Sequence, residues 1–211
     1  MDSLWQALAS LGLLDDSAEI EAMRNIAINP LAGLDPAELS DMRPVAGALE
    51  TLLATAAGLR GLPGKFAFRL DGGGRLPLSD LEADIHLVAC RDGKVAIGLG
   101  SDGAVQWLGA VELDAAALVA AQLAGAILAR SATRRAHALS SATVAAIRRE
   151  LDLAACLIPD RLSPLCQRRG LIPLGDGIDV VGLGAAFGRI EAASLAALAG
   201  ELIRLGVPEV R

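Results

Sequence analysis

The clearest pattern along the chain is an alternation over Lys65–Leu70. Phe66, Phe68 and Leu70 fall on one side, and Lys65, Ala67 and Arg69 on the other, as a β-strand requires. Pro63-Gly64 leads into it, and Asp71-Gly72-Gly73-Gly74 leads out. The apolar side asks for a core. The other side presents two cations, Lys65 and Arg69, about 13 Å apart along an extended strand. Further strands are predicted over Asp84–Arg91, Lys94–Gly100 and Ala104–Val111, with Asp92-Gly93 and Asp102-Gly103 as hairpin turns between the last three. Val95, Ile97 and Leu99 alternate with Ala96, Gly98 and Gly100. That second face is nearly smooth, so a backbone, a helix or a flat ligand lies close to it.

Helical spacing brackets these strands. Leu4, Trp5, Leu8 and Leu11 predict a short amphipathic helix over Leu4–Leu13, and Asp16 or Ser17 caps a second one through Met23. Asn25–Asn29 reads as a buried strand closed by Pro30. Asp35-Pro36-Ala37-Glu38 has the residues of a helix start, which Pro44 interrupts before Val45, Leu49, Leu52 and Leu53 resume the period up to Gly58. Asp114 is placed to cap a long Ala/Leu helix to Arg130, and Ser140 or Ser141 another to Leu153. Residues 159–176, rich in Pro and Gly, read as an irregular linker. Beyond it come a strand over Ile178–Leu183, a turn at Phe187-Gly188-Arg189, a helix over Ala192–Leu205 stopped by Gly206, and a strand starting at Val207. The expected fold class is α+β: a mixed or antiparallel sheet with helices on one face. Its divisions are 1–158, a linker at 159–176, and an incomplete unit at 177–211.

Composition narrows the function classes. Of 211 residues, 53% are hydrophobic and only 2% aromatic, with no Tyr, so there is a core to bury but no stacking platform for nucleic acid. The net charge of −6 is uneven. Between Arg130 and Arg169, eight arginines face three acids, a local charge of +5 that leaves −11 elsewhere. This segment is either a solvated helical face or a surface for an acidic ligand or partner. The three cysteines, Cys90, Cys156 and Cys166, have neither metal-ligand spacing nor an even count, and a reducing, cytoplasmic setting is expected. No membrane span is expected, because Ala115–Ala129 is short and contains Gln122. His86 and His137 stand alone and read as packing or surface residues. There is no Ser/His/Asp set, P-loop or dinucleotide fingerprint. Gly72–Gly74 reads as a wide hairpin loop or, alternatively, an anion nest.

Several stretches carry a resemblance. Arg24-Asn25-Ile26 through Pro30 and Gly33 resembles the R-N-(I/V)-x-x-x-P-x-x-G segment of the nitrite/sulfite reductase haemoprotein family. Leu62-Pro63-Gly64-Lys65-Phe66 is similar to that family's L-P-x-K-F strand. The run from Gly64 to Gly74, and Leu183-Gly184-Ala185-Ala186-Phe187-Gly188-Arg189-Ile190-Glu191, are most similar to its precorrin-3B synthase branch. The resemblance runs from about Leu4 to Arg211. It implies two pseudo-symmetric halves, each a ferredoxin-like half-domain followed by a larger α+β domain, with a tetrapyrrole and a [4Fe-4S] cluster between them. Reductases of the family hold sirohaem. In the synthases a corrin precursor takes that space and undergoes oxygen-dependent hydroxylation with lactone formation, in cobalamin biosynthesis.

Residue by residue, Arg24 matches the arginine facing the tetrapyrrole or its anionic ligand, and Lys65 the first lysine of the reductases' K-x-K pair. These two are the implied catalytic residues. Asn25, and with less support Asn29 and Arg69, complete an implied polar rim for the cofactor. A guanidinium can clamp a carboxylate with two hydrogen bonds, and an ammonium can stabilise developing negative charge or deliver a proton. The alternatives are Arg24 capping a helix and Lys65 merely solvated. Ala67 replaces the second lysine, which favours the synthase branch over a reductase. The cluster's cysteines have no counterpart here, so no cofactor is expected in this chain alone. The chain is expected to be the middle of a longer oxidoreductase and inactive by itself, or else a non-catalytic tetrapyrrole-binding scaffold. Its expected partners are a tetrapyrrole-type molecule and either the missing half-domains or a second copy, with no nucleic acid and no membrane.

Overall fold

The structure is a computed structural model that describes residues 2–14, 17, 20–21, 25–101, 103–155, 169–175 and 177–210. Five strands form one mixed sheet: β1 (Ile26–Ile28), β2 (Phe68–Asp71), β3 (Ile85–Ala89), β4 (Lys94–Ser101) and β5 (Ala104–Glu112), adjacent in that order. β1, β2 and β3 run parallel, with Ile26 beside Phe68 and Phe68 beside Ile85. β4 and β5 are antiparallel additions. The fold class is therefore α+β, as the alternation implies.

Period-2 alternation decides which side chains enter the core. Phe66, Phe68 and Leu70 join Ile85, Leu87, Val95, Ile97, Leu99 and Leu108 in one buried cluster. The rings of Phe66 and Phe68 lie 5.3 Å apart and tilted by 58°. Helices α2 (Arg43–Thr55), α3 (Ala116–Arg130) and α4 (Ser141–Glu150) close this face with Val45, Leu49, Leu53, Leu123, Ile127, Val144 and Ile147. Each large apolar side chain buried there contributes about 1.5–3 kcal/mol. With its leading 3₁₀ turn, Leu113–Arg130 is long and apolar enough to span a membrane, longer than the sequence suggested. In this fold its small-residue side, Ala116, Ala120 and Ala124, packs into the core.

Several elements differ from the sequence reading. Asp35-Pro36-Ala37-Glu38 starts no helix. The Asp35 carboxylate takes the Arg75 guanidinium at 2.6 Å and the Ala37 N–H at 3.0 Å, while Glu38 accepts from Gly33 N–H at 2.7 Å. Both acids hold loops instead of capping. α2 begins at Arg43, with Pro44 in its first turn, where the fixed φ suits a helix, so Pro44 kinks nothing. Its upstream carboxylate, Asp41, accepts the Arg43 N–H at 3.0 Å. Asp114 lies in the 3₁₀ turn Leu113–Ala115 and makes no cap hydrogen bond to α3. Ser140 does cap α4, accepting Thr143 N–H at 3.2 Å. The smooth face of β4 is met at Gly100 by a backbone, the Ala83 carbonyl, and at Gly98 by cross-strand side chains: a Cβ on Gly98 would stand 2.5 Å from Val105 Cγ1 and 2.9 Å from Trp107 Cε3. β2 and β3 are parallel, so the glycine loop between them is a crossover, not a hairpin.

At the N-terminus, α1 (Asp2–Ser10) leaves Leu4 and Trp5 exposed. Ser17 accepts the Ile20 N–H, and the rest of that second helix lies largely outside the described residues. At the other end, β6 (Gly170–Gly175) begins inside the stretch read as linker and pairs antiparallel with β7 (Ile178–Gly182). Ile172 and Leu174 of β6 bury against Leu31, which joins the hairpin to the β1 side. Helix α5 (Ala192–Arg204) has no buried residue, and Val207–Val210 forms no strand.

One carboxylate braces the sheet. Asp84, just before β3, accepts from Ala67 N–H (3.1 Å), Arg135 Nε (2.8 Å) and Ala136 N–H (3.0 Å), with its side chain 1% exposed. Replacing it strands one buried and one partly buried N–H group and an arginine. Asp84→Ala is expected to lower unfolding stability by about 3 kcal/mol. Arg135→Ala, whose side chain is 29% exposed, is expected to cost about 1 kcal/mol. Urea denaturation of the two variants checks the order.

Candidate functional site

Of the residues singled out by sequence, Asn25 and Lys65 lie near the starts of β1 and β2, while Asn29 follows β1 and Arg69 lies within β2. Lys65 is not in a strand. It stands exposed at the tip of a tight turn that Phe66 N–H closes onto Pro63 O at 2.8 Å. β2 starts only at Phe68, because Pro63-Gly64 bends the chain and the ladder cannot form before it straightens. Among the described residues Lys65 makes no ion pair, so its ammonium is available to solvent or ligand. Asn25, at the foot of β1, reaches the same turn: its Nδ2 donates to Gly64 O at 2.6 Å, and its carbonyl accepts Phe68 N–H at 2.9 Å. Asn25 and Lys65 are thus brought together by paired strands 40 residues apart in sequence. Arg24, the residue before Asn25, lies outside the described residues.

The two remaining rim candidates point inward. Asn29 is 3% exposed; its Nδ2 donates to Gly73 O at 2.9 Å, and its Oδ1 accepts Leu31 N–H at 2.8 Å. Its amide fastens the glycine loop. That loop is no open anion nest, because Gly73 N–H is taken by Asp71 Oδ1 at 3.0 Å and Asp35 takes the Arg75 N–H. Burial raises the Glu38 carboxyl beside it above the usual range.

Arg69 was expected on an exposed cationic face with Lys65. It is 6% exposed, because the Leu78–Leu81 segment folds over it. Its Nη1 donates to the carbonyls of Leu78 (3.1 Å), Ser79 (3.3 Å) and Leu81 (3.3 Å). Burial lowers its pKa, although Asp71 and Asp80 oppose this. His86 stands beside it in register and was missed as a neighbour. A signal existed: one polar residue in the apolar run Ile85–Ala89, on the same side as Arg69 once the strands pair.

Among the described residues no three His, Cys, Asp or Glu side chains are grouped to hold a metal ion. Cys90 Sγ donates to Val88 O at 3.7 Å, while Cys156 and Cys166 lie outside the described residues. A four-cysteine cluster therefore finds no ligand set among the described residues.

Over 92% of its length the chain is 32% identical to a protein named precorrin-3B synthase from Sinorhizobium sp. It is a distant relative of that synthase. The chain spans 43% of that relative's length. No family model matches it.

His86 also makes the fold pH-sensitive. Burial, and then the Arg69 charge, push its pKa from 6.5 down to about 4. The folded protein keeps His86 neutral while the unfolded chain takes up a proton below about 6.5. This stabilisation is complete above pH 6.5 and is lost as the pH falls toward 4. The expected slope is up to ~1.4 kcal/mol per pH unit. Urea midpoints between pH 7.5 and 5 check it, and His86→Gln is expected to flatten the slope relative to the unaltered chain.

Proposed function

We propose that this chain is the tetrapyrrole-facing part of a precorrin-3B synthase-like oxidoreductase that acts on a corrin precursor in cobalamin biosynthesis. The observation that carries this reading is the likeness to a protein of that name along 92% of the chain. The local geometry is compatible with it. Lys65 offers an uncommitted ammonium at the tip of a turn, and Asn25 ties that turn to the strand that follows Arg24. In the proposal, Arg24 and Lys65 engage carboxylate arms of the macrocycle and steady negative charge developing on it. Asn25 holds the Lys65 turn against the foot of β1. Asn29 and Arg69 act from inside, by fixing the loops on which the site stands.

Ala67 beside Lys65 supports the synthase reading over a sirohaem-dependent reductase, since the second cation of that pair is missing. The proposal assigns no iron-sulfur ligand to this chain. The apolar side chains left open along the C-terminal unit, Leu195 at 52% exposed, Ile203 at 79% and Phe187 at 101%, would pack against the remaining half-domains.

An octacarboxylate porphyrin is a suitable probe. Titrated into the chain, it is expected to shift its absorbance band on binding. Lys65→Ala and Arg24→Ala are each expected to weaken that binding about tenfold, the loss of one charge-assisted contact. The Lys65 variant should unfold at the same temperature as the unaltered chain, since Lys65 is exposed and unpaired among the described residues. Equal affinity in all three proteins would refute the assigned roles.

A further inference from the structure

Two buried nitrogen atoms on neighbouring strands have no partner among the described residues: Arg69 Nε and His86 Nδ1. Their residues are paired in register across the parallel strands β2 and β3. Both side chains therefore leave the same face of the sheet, side by side. Arg69 is 6% exposed and His86 2%, so bulk water reaches neither.

The two atoms are chemically complementary. Arg69 Nε–H can only donate. His86 Nε2 lies on the Ala83 side of its ring, beside Gly100. Ala83 O borders the same spot, so the carbonyl favours the proton on Nε2. In the neutral ring the proton is then on Nε2, and Nδ1 is left as a bare acceptor. Leaving a buried polar group unpaired costs about 1–3 kcal/mol. An anion would satisfy Arg69 but set its own lone pairs against that of Nδ1. An apolar group would satisfy neither.

We propose that Arg69 and His86 form a two-point site for one buried water, which accepts from Arg69 Nε–H and donates to His86 Nδ1. Through it, His86 positions the guanidinium whose Nη1 fastens the Leu78–Leu81 segment. His86 is thus a positioning residue for a segment held by its neighbour. The site is independent of any tetrapyrrole.

Amide hydrogen exchange over Leu78–Leu81 tests the coupling. Leu78 N–H and Leu81 N–H are both hydrogen-bonded and so report opening of the segment. His86→Leu, which removes the acceptor, is expected to speed their exchange about tenfold, the loss of one buried hydrogen bond. His86→Gln, whose amide oxygen still accepts, is expected to stay within about threefold of the unaltered chain. Unchanged exchange in the Leu variant overturns the proposal. If that variant does not fold, a crystal structure of the unaltered chain decides. An ordered water about 2.7–3.2 Å from both atoms supports the site, and an empty gap or a direct Arg69–His86 contact overturns it.

Discussion

Asp84 ties together three parts of the chain that are distant in sequence. Its carboxylate holds the β2 approach at Ala67 and the connection between α3 and α4 at Arg135 and Ala136. Its own backbone joins β2 at Ala67 and β4 at Gly100. A carboxylate removed from water is tolerated only when its lone pairs are filled, and here they are filled by groups that must all be in place at once. The register of β2 against β3, and hence the neighbours of every residue on both, follows from this point.

That register has a cost on the second face of the sheet. β2 and β3 are buried on both sides, as central parallel strands usually are. Arg69 and His86 lie on the buried side opposite the core, where a charge is expensive. The chain meets that cost with backbone carbonyls, by bending the Leu78–Leu81 segment over the guanidinium. The glycine loop before it is treated the same way, with Asn29, Asp35 and Asp71 taking its polar groups. Lys65 is spared because the Pro63-Gly64 turn holds it out of the sheet. The same strand segment thus yields one buried, committed cation and one open to solvent.

The elements closest to local rules were legible from the residues. Phe66, Phe68 and Leu70 enter the core because alternation is a property of the strand itself. Ser140 caps α4 and Gly206 ends α5 with a positive φ of 69° because caps and stops act within a few residues. The pairing of Asn25 with the Lys65 turn was partly legible, through two motifs whose order and spacing resemble one family's. The true surroundings of Arg69 and Asn29 were not, since their partners depend on which strands pair and which loop folds back.

Local sequence alone determined which side chains seek the core, where the short turns fall and which residues bear charge, since those choices involve atoms only a few bonds away. Whether an acid caps a helix or grips a loop, as Asp35 grips Arg75 across 40 positions, was left to tertiary structure. Tertiary structure also decided whether a cation faces solvent or is enclosed. Burial and long-range hydrogen bonds exist only once distant segments meet, and in a medium that excludes water they outweigh local preference.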